Sequence, residues 1–139
     1  MTAMYAARMA RPDLLRAVGQ LARHLTKWGR WEDRKLRRLV EYIHSSHSQR
    51  MVGFIGDPPT GLTIAYFSDA DYAGDRQDAK NTSGTFIALV GPHSFFPLCA
   101  HSRKQTSVSL SSAEAEVVAA CTGGGDAIVM KDLWKELLG

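Results

Sequence analysis

The chain has 139 residues, of which 45% are hydrophobic and 22% charged. That balance suits one globular domain or a piece of a larger one and excludes a chain disordered throughout. The net charge of +3 conceals an asymmetry: residues 1–50 carry 11 Lys and Arg against 4 Asp and Glu, a net of +7, whereas residues 51–139 carry 6 against 10, a net of −4.

No apolar run approaches the roughly 18 residues needed to cross a bilayer, and no hydrophobic core precedes a small-residue cleavage site near the N-terminus. The expected setting is therefore cytoplasmic or nuclear, with no membrane partner. Two cysteines, Cys99 and Cys121, are too few for a disulfide framework and lack zinc-like spacing, so both are expected to be buried small hydrophobes.

Residues 12–28 form an expected amphipathic helix, because Leu14, Leu15, Val18, Leu21, Ala22, Leu25 and Trp28 recur at helical spacing. Pro12 suits the first turn, Asp13 suits the positive end of the dipole, and Gly29 breaks the pattern. A second helix over about 31–45 is expected to bury Leu36, Leu39, Val40 and Ile43 and to display Arg34, Lys35, Arg37 and Arg38. The two helices suggest an αα-hairpin within a helical segment over residues 1–48. Its basic residues are either a solvated face or a surface for a polyanion, and charge alone does not decide.

The period changes near residue 50. Met51–Ile55 is a short strand candidate, Asp57-Pro58-Pro59-Thr60-Gly61 a turn, and Leu62–Phe67 a stronger strand ending in Ser68-Asp69-Ala70-Asp71. A polar loop from Gly74 to Asn81 leads to a strand over Thr82–Val90. Gly91-Pro92 turns the chain into a third strand over about 94–102, where Pro97 implies an edge position or a bulge. The expected sheet is a three-stranded antiparallel meander. Ser111 or Ser112 then caps a helix with Glu114 placed for a capping box, and Ala113–Cys121 is a strong helix former. Gly123-Gly124-Gly125 is expected to interrupt or kink that helix before the apolar stripe resumes at Ile128, Val129, Leu133 and Trp134. The fold class is α/β in the α+β sense: two N-terminal helices, then over residues 49–139 a three-stranded meander with a packed C-terminal helix.

Carboxylates on different elements are what hydrolysis by paired divalent cations requires. Asp69 ends a strand and Glu116 stands near a helix start, a pattern that acids also adopt for capping and turns. His44 and His47 lack a third ligand and suit a polar helix end. Trp28, Trp31 and Trp134 are candidates for stacking on bases, although Trp28 and Trp134 lie on apolar stripes that suit a core.

Three strings carry more information than spacing alone. Tyr66-Phe67-Ser68-Asp69-Ala70-Asp71-Tyr72-Ala73-Gly74-Asp75, Lys80-Asn81-Thr82-Ser83-Gly84 and Lys104-Gln105-Thr106-Ser107-Val108-Ser109-Leu110-Ser111-Ser112-Ala113-Glu114-Ala115-Glu116 together resemble the ribonuclease H domain of copia-type retrotransposon Pol polyproteins. Upstream, Arg11-Pro12-Asp13-Leu14, Ala17-Val18 and Leu21-Ala22-Arg23 resemble the connection beyond the reverse transcriptase core of the same polyproteins. The resemblance implies a ribonuclease H-like fold, cleavage of the RNA strand of an RNA–DNA hybrid, and two Mg²⁺ ions. It makes Asp69 the first-strand ligand and Glu116 the helix ligand, with Glu114 left to cap. Asp71 is either an outer ligand or an acid that turns the chain.

The family's third and fourth carboxylates fall on later elements, and Asp126 and Asp132, within the last helix, match neither. Residues 49–139 are thus expected to be an N-terminal part of such a domain, inactive by itself. The implied partners are a hybrid or other nucleic acid, the rest of the polyprotein and, through an unpaired sheet edge, a second copy. A non-catalytic nucleic-acid-binding module, using Arg34, Lys35, Arg37 and Arg38, is the alternative.

Overall fold

The computed structural model describes residues 2–71 and 80–138. The Tyr72–Asp75 part of the first string, and all but the last two residues of the expected loop from Gly74 to Asn81, lie outside the described residues. The chain divides into two compact units, Met1–Met51 and Val52–Gly139.

The first unit is helical. Helix α1 spans Thr2–Met9, which the sequence pattern did not anticipate, and it buries Ala7 completely. A single 3₁₀ turn over Pro12–Leu14 leads into α2, Leu15–Arg23, and Pro12 stands where a missing N–H costs nothing. Leu14, Leu15, Val18 and Leu21 form its buried stripe.

The expected helix over 12–28 is therefore shorter than its periodicity suggested. His24 leaves helical geometry at φ −99° and ψ 8°, a separate 3₁₀ turn covers Leu25–Lys27, Leu25 is 70% exposed, and Trp28 is also exposed. Trp28 is not a core residue; its indole N–H donates to Asp33 Oδ1 at 2.8 Å.

Helix α3 spans Arg30–Ser45, and the Glu32 side chain reaches back to accept from the Gly29 N–H at 3.1 Å. Its inward stripe is Glu32, Leu39 and Ser46, with Ile43 half-buried. Leu36 and Val40, expected inside, are exposed, because they lie round the helix from Leu39 on the side away from the α2 contact.

The α2–α3 pairing is clamped by polar groups. Arg11 donates to both Asp13 oxygens, to Ser46 O at 3.1 Å and to Ser46 Oγ at 2.7 Å, while the Tyr42 hydroxyl donates to Asp13 Oδ2 at 3.0 Å. The Arg11 guanidinium holds the Asp13 carboxyl below its ordinary range, with Tyr42 adding to the effect against partial desolvation.

The second unit carries strands β1, Thr63–Asp71, β2, Thr82–Gly91, and β3, Ser94–Lys104, in an antiparallel sheet of order β1-β2-β3. Register runs from Thr63 opposite Val90 to Asp71 opposite Thr82 without a slip, but shifts between Ile87 and Ala88 where β3 passes Pro97. The proline thus lies on an edge strand and at an irregularity, the two placements its missing donor tolerates.

Met51–Ile55 is not a strand. Among the described residues it contributes only a bridge between Phe54 and Phe95. The segment is pinned instead through Ser94 Oγ, which accepts from the Gly56 and Asp57 amides at 2.9 and 3.0 Å, and through Asp57 Oδ2, which accepts from the His93 amide at 2.8 Å.

Helix α4 runs unbroken over Ser112–Leu138, straight through the three glycines. Ala115, Ala119 and Gly123, four residues apart, form its buried ridge. A Cβ on Gly123 would lie 2.4 Å from both Thr85 Cγ2 and the Tyr66 hydroxyl, so this glycine lets helix and sheet approach closely rather than breaking the helix. Tertiary packing has overridden propensity here. Cys99 is half-buried and its thiol pKa is pushed up by burial, whereas Cys121, expected inside, is exposed. Among the described residues no helix is long and apolar enough to cross a membrane.

Candidate functional site

Residues of the second and third strings converge on one buried amide. Gln105 follows β3, and its Nε2 donates to Ser83 Oγ at 2.9 Å and to the Ala115 carbonyl in the first turn of α4 at 3.0 Å. Its Oε1 accepts from Asn81 Nδ2 at 3.2 Å and from the Ser109 hydroxyl at 3.3 Å, and its own amide donates to Asn81 O at 2.8 Å. Asn81, Ser83, Gln105 and Ser109 are all buried, and Asn81 is fully so. Buried polar groups demand partners, and this set supplies them mutually.

The network fixes where the start of α4 sits. Ser83 lies opposite Ala70 in the sheet, and Gln105 ties it to Ala115, the residue before Glu116. Asp69 precedes Ala70. Further along, the Tyr66 hydroxyl donates to the carbonyls of Ala119 and Ala120 at 3.2 Å each. Asp69 and Glu116 therefore stand at the same end of the sheet, at the C-terminal end of β1 and the N-terminal end of α4.

They do not share a face. Tyr66 points toward α4, so strict alternation along the regular β1 directs Asp69 and Asp71 to the opposite face. Asp69 is exposed and Asp71 is half-buried. Glu116 is exposed in the second turn of α4. β2 is the strand paired to β1 among the described residues, so the outer edge of β1, between Asp69 and the helix side, is open there.

Glu114 is occupied in capping. Its amide donates to Ser111 Oγ at 3.1 Å and its carboxylate accepts from the Leu110 N–H at 2.7 Å, a capping box displaced by one residue on one side. Asp126 is engaged by β3, with Oδ2 3.7 Å from both His101 Nε2 and an Arg103 nitrogen.

Among the described residues no group of three or more His, Cys, Asp and Glu side chains could hold a metal ion. The two carboxylates do match Mg²⁺ in donor chemistry, because that ion takes hard oxygen ligands, often from one or two carboxylates, and keeps several waters. His44 and His47 stack at 6.3 Å, and His47 Nδ1 lies 2.8 Å from the His44 carbonyl, an arrangement that ends a helix.

The basic residues of α3 are all at the surface. Arg34, Arg37 and Arg38 are exposed and Lys35 is half-buried. Together with Trp31 and Glu41 they line a concavity of about 390 Å³. A reading confined to acids overlooked Gln105, Asn81, Ser83 and Ser109. Their signal was present in the strings themselves, as uncharged polar residues inside otherwise strand-like and helix-start sequence.

The chain is similar to Pol polyproteins of plant transposons. It is 30% identical over 134 residues to the retrovirus-related Pol polyprotein from transposon TNT 1-94 of Nicotiana tabacum, a match covering 96% of this chain and 10% of that relative. It is 34% identical over 108 residues to the retrovirus-related Pol polyprotein from transposon RE2 of Arabidopsis thaliana, covering 76% of this chain and 7% of the relative. It is also 33% identical over 116 residues to secreted RxLR effector protein 161 of Plasmopara viticola, 84% of this chain and 77% of that protein. The chain thus spans a tenth or less of the two Pol polyproteins. No protein-family model and no solved structure matches it.

Proposed function

The chain belongs to the retrovirus-related Pol polyproteins of copia-type transposons, and on that premise we propose that residues 52–139 are part of a ribonuclease H domain that cuts the RNA strand of an RNA–DNA hybrid. The observation that supports this reading is the Gln105 network, which seats the start of α4 at the end of the sheet where β1 finishes, so that Asp69 and Glu116 lie at the same end of the sheet, on opposite faces and separated by the open outer edge of β1.

Asp69 and Glu116 would hold the metal across the open outer edge of β1, and Asp71, on the same face as Asp69, would be an outer ligand. A pair of Mg²⁺ ions, when bound, activates the attacking water and neutralises charge on the leaving oxygen. The chain's own part is to present exposed carboxylates whose supporting elements are rigidly joined. Glu114 takes no share, because its carboxylate is spent on the Leu110 amide. Two ligands and an outer acid leave a divalent ion mostly hydrated, so the 139-residue stretch by itself is expected not to cleave hybrid.

The test reads metal binding and cleavage separately. Mn²⁺ titrated into the isotopically labelled chain should broaden amide signals around Asp69 and Glu116 first, and Asp69→Asn or Glu116→Gln should each abolish that effect. Broadening that ignores both substitutions overturns the shared metal site. A labelled RNA–DNA hybrid with Mg²⁺ should remain intact, and cleavage lost in Asp69→Asn would refute the inactivity of the stretch.

A further inference from the structure

Trp31 lies in the first turn of α3 and is 61% exposed, an open position for so large an apolar side chain. At about 100° per residue, Arg34, Lys35 and Arg38 fall at i+3, i+4 and i+7 from it, along one flank of the helix. The Lys35 ammonium stands over the indole, 5.7 Å from the ring centroid. Lys35 and Arg38 also border a second concavity of about 280 Å³ between α2 and α3, lined on its apolar side by Leu14, Leu21 and Leu39. The flank therefore offers an exposed indole with one cation over its ring, two further cations along the same side, and an apolar-walled groove bordered by Lys35 and Arg38.

The ligand that fits alternates flat apolar rings with negative charges. A peptide acid has no such ring at each step, and a duplex keeps its base faces stacked inside, where Trp31 does not reach. Single-stranded nucleic acid has both elements, and base stacking on an aromatic combined with cations along the backbone is how such strands are held without sequence preference. We propose that this flank of α3 binds single-stranded nucleic acid, with a base stacked on Trp31 and phosphates on Arg34, Lys35 and Arg38. The proposal stands whether or not Asp69 and Glu116 hold a metal, since it uses residues of the helical unit alone.

Fluorescence anisotropy of the full chain with three labelled probes of equal length tests it: a single-stranded oligothymidylate, the same backbone without bases, and a blunt duplex. The base-bearing single strand should bind about tenfold more tightly than the abasic one and should quench indole fluorescence. Trp31→Ala should abolish that preference and the quenching while leaving the salt slope unchanged, and Trp31→Phe, which keeps a ring, should restore part of the preference. Arg34→Gln, Lys35→Gln or Arg38→Gln should each lower the log–log salt slope by about 0.7, the value for a phosphate contact on a single strand. Equal affinity for the base-bearing and abasic strands overturns the stacking claim. Tighter binding of the duplex, or a Trp31→Ala variant indistinguishable from the parent, overturns the proposal as a whole.

Discussion

Replacing each of the three consecutive glycines of α4 by alanine should give effects of opposite sign. In a helix interior alanine is favoured over glycine by about 1 kcal/mol. At Gly124 and Gly125 a new Cβ meets nothing within 4 Å, so Gly124→Ala and Gly125→Ala should each stabilise by about that amount. At Gly123 the new Cβ would lie 2.4 Å from Thr85 Cγ2 and from the Tyr66 hydroxyl, both held by the sheet beneath.

Overpacking of this kind costs about 1–3 kcal/mol, and displacing the Tyr66 hydroxyl from the Ala119 and Ala120 carbonyls costs about 1 kcal/mol more. Offset by the propensity gain, Gly123→Ala should be destabilising by about 1–3 kcal/mol. Urea denaturation followed by circular dichroism reads the difference as a shift of midpoint at constant slope, and in a thermal melt each kcal/mol corresponds to about 4–8 °C for a unit of this size. Adding Tyr66→Phe should relieve part of the Gly123→Ala cost, a non-additivity that measures the contact itself. If Gly123→Ala stabilised as much as Gly124→Ala, the close approach of α4 to the sheet would be refuted.

Gln105→Ala should be among the costliest single changes, by about 3 kcal/mol or more, since it strands buried groups of Asn81, Ser83 and Ser109; a midpoint shift below about 1 kcal/mol would dismiss the network as the device that seats α4. Gly91→Ala should destabilise as well, because its Cβ would come within 2.5 Å of Asp57 Oδ2, and a neutral result in the same melt would contradict that approach. Acid should weaken both units. The Arg11 guanidinium holds Asp13, and the Ser94 hydroxyl holds Asp57, below the unfolded value of 3.8, so the stability each contributes is complete above about pH 4 and is lost as pH falls through the lower folded value. Asp13→Asn should accordingly flatten the fall in urea midpoint below pH 4, and an unchanged acid limb would rule Asp13 out as its source.

Periodicity, punctuation and three strings were legible along the chain. Period 2 located β1, β2 and β3, because alternation on a half-buried sheet leaves a direct trace. The Ser111–Glu114 spacing located the start of α4 and Pro12 the start of the first expected helix, whereas Gly29, expected to break that helix, stands as the N-cap of α3, α2 having ended at Arg23. The strings led to the Pol family and to Asp69 and Glu116 as the acids of interest.

The remainder rests on contacts between elements, which residue type does not encode. Glycine is a helix breaker by propensity, and only the nearness of Tyr66 and Thr85 shows that at Gly123 it serves a close approach of α4 to the sheet. Leu36 and Val40 satisfy a helical apolar pattern as well as Leu39 does, and which of them is buried depends on where α2 lies. Met51–Ile55 has strand composition, yet among the described residues it forms only the Phe54–Phe95 bridge and no ladder, and the next amides, of Gly56 and Asp57, go to Ser94 Oγ. Asn81 and Ser83 are more than twenty residues from Gln105 and ordinary in composition, and the three act as one group because the β2–β3 pairing brings them together, with Gln105 against Ala115. A pattern along the chain reports one element at a time, whereas a buried polar contact is a property of two elements in register, and it exists only once the chain has closed on itself.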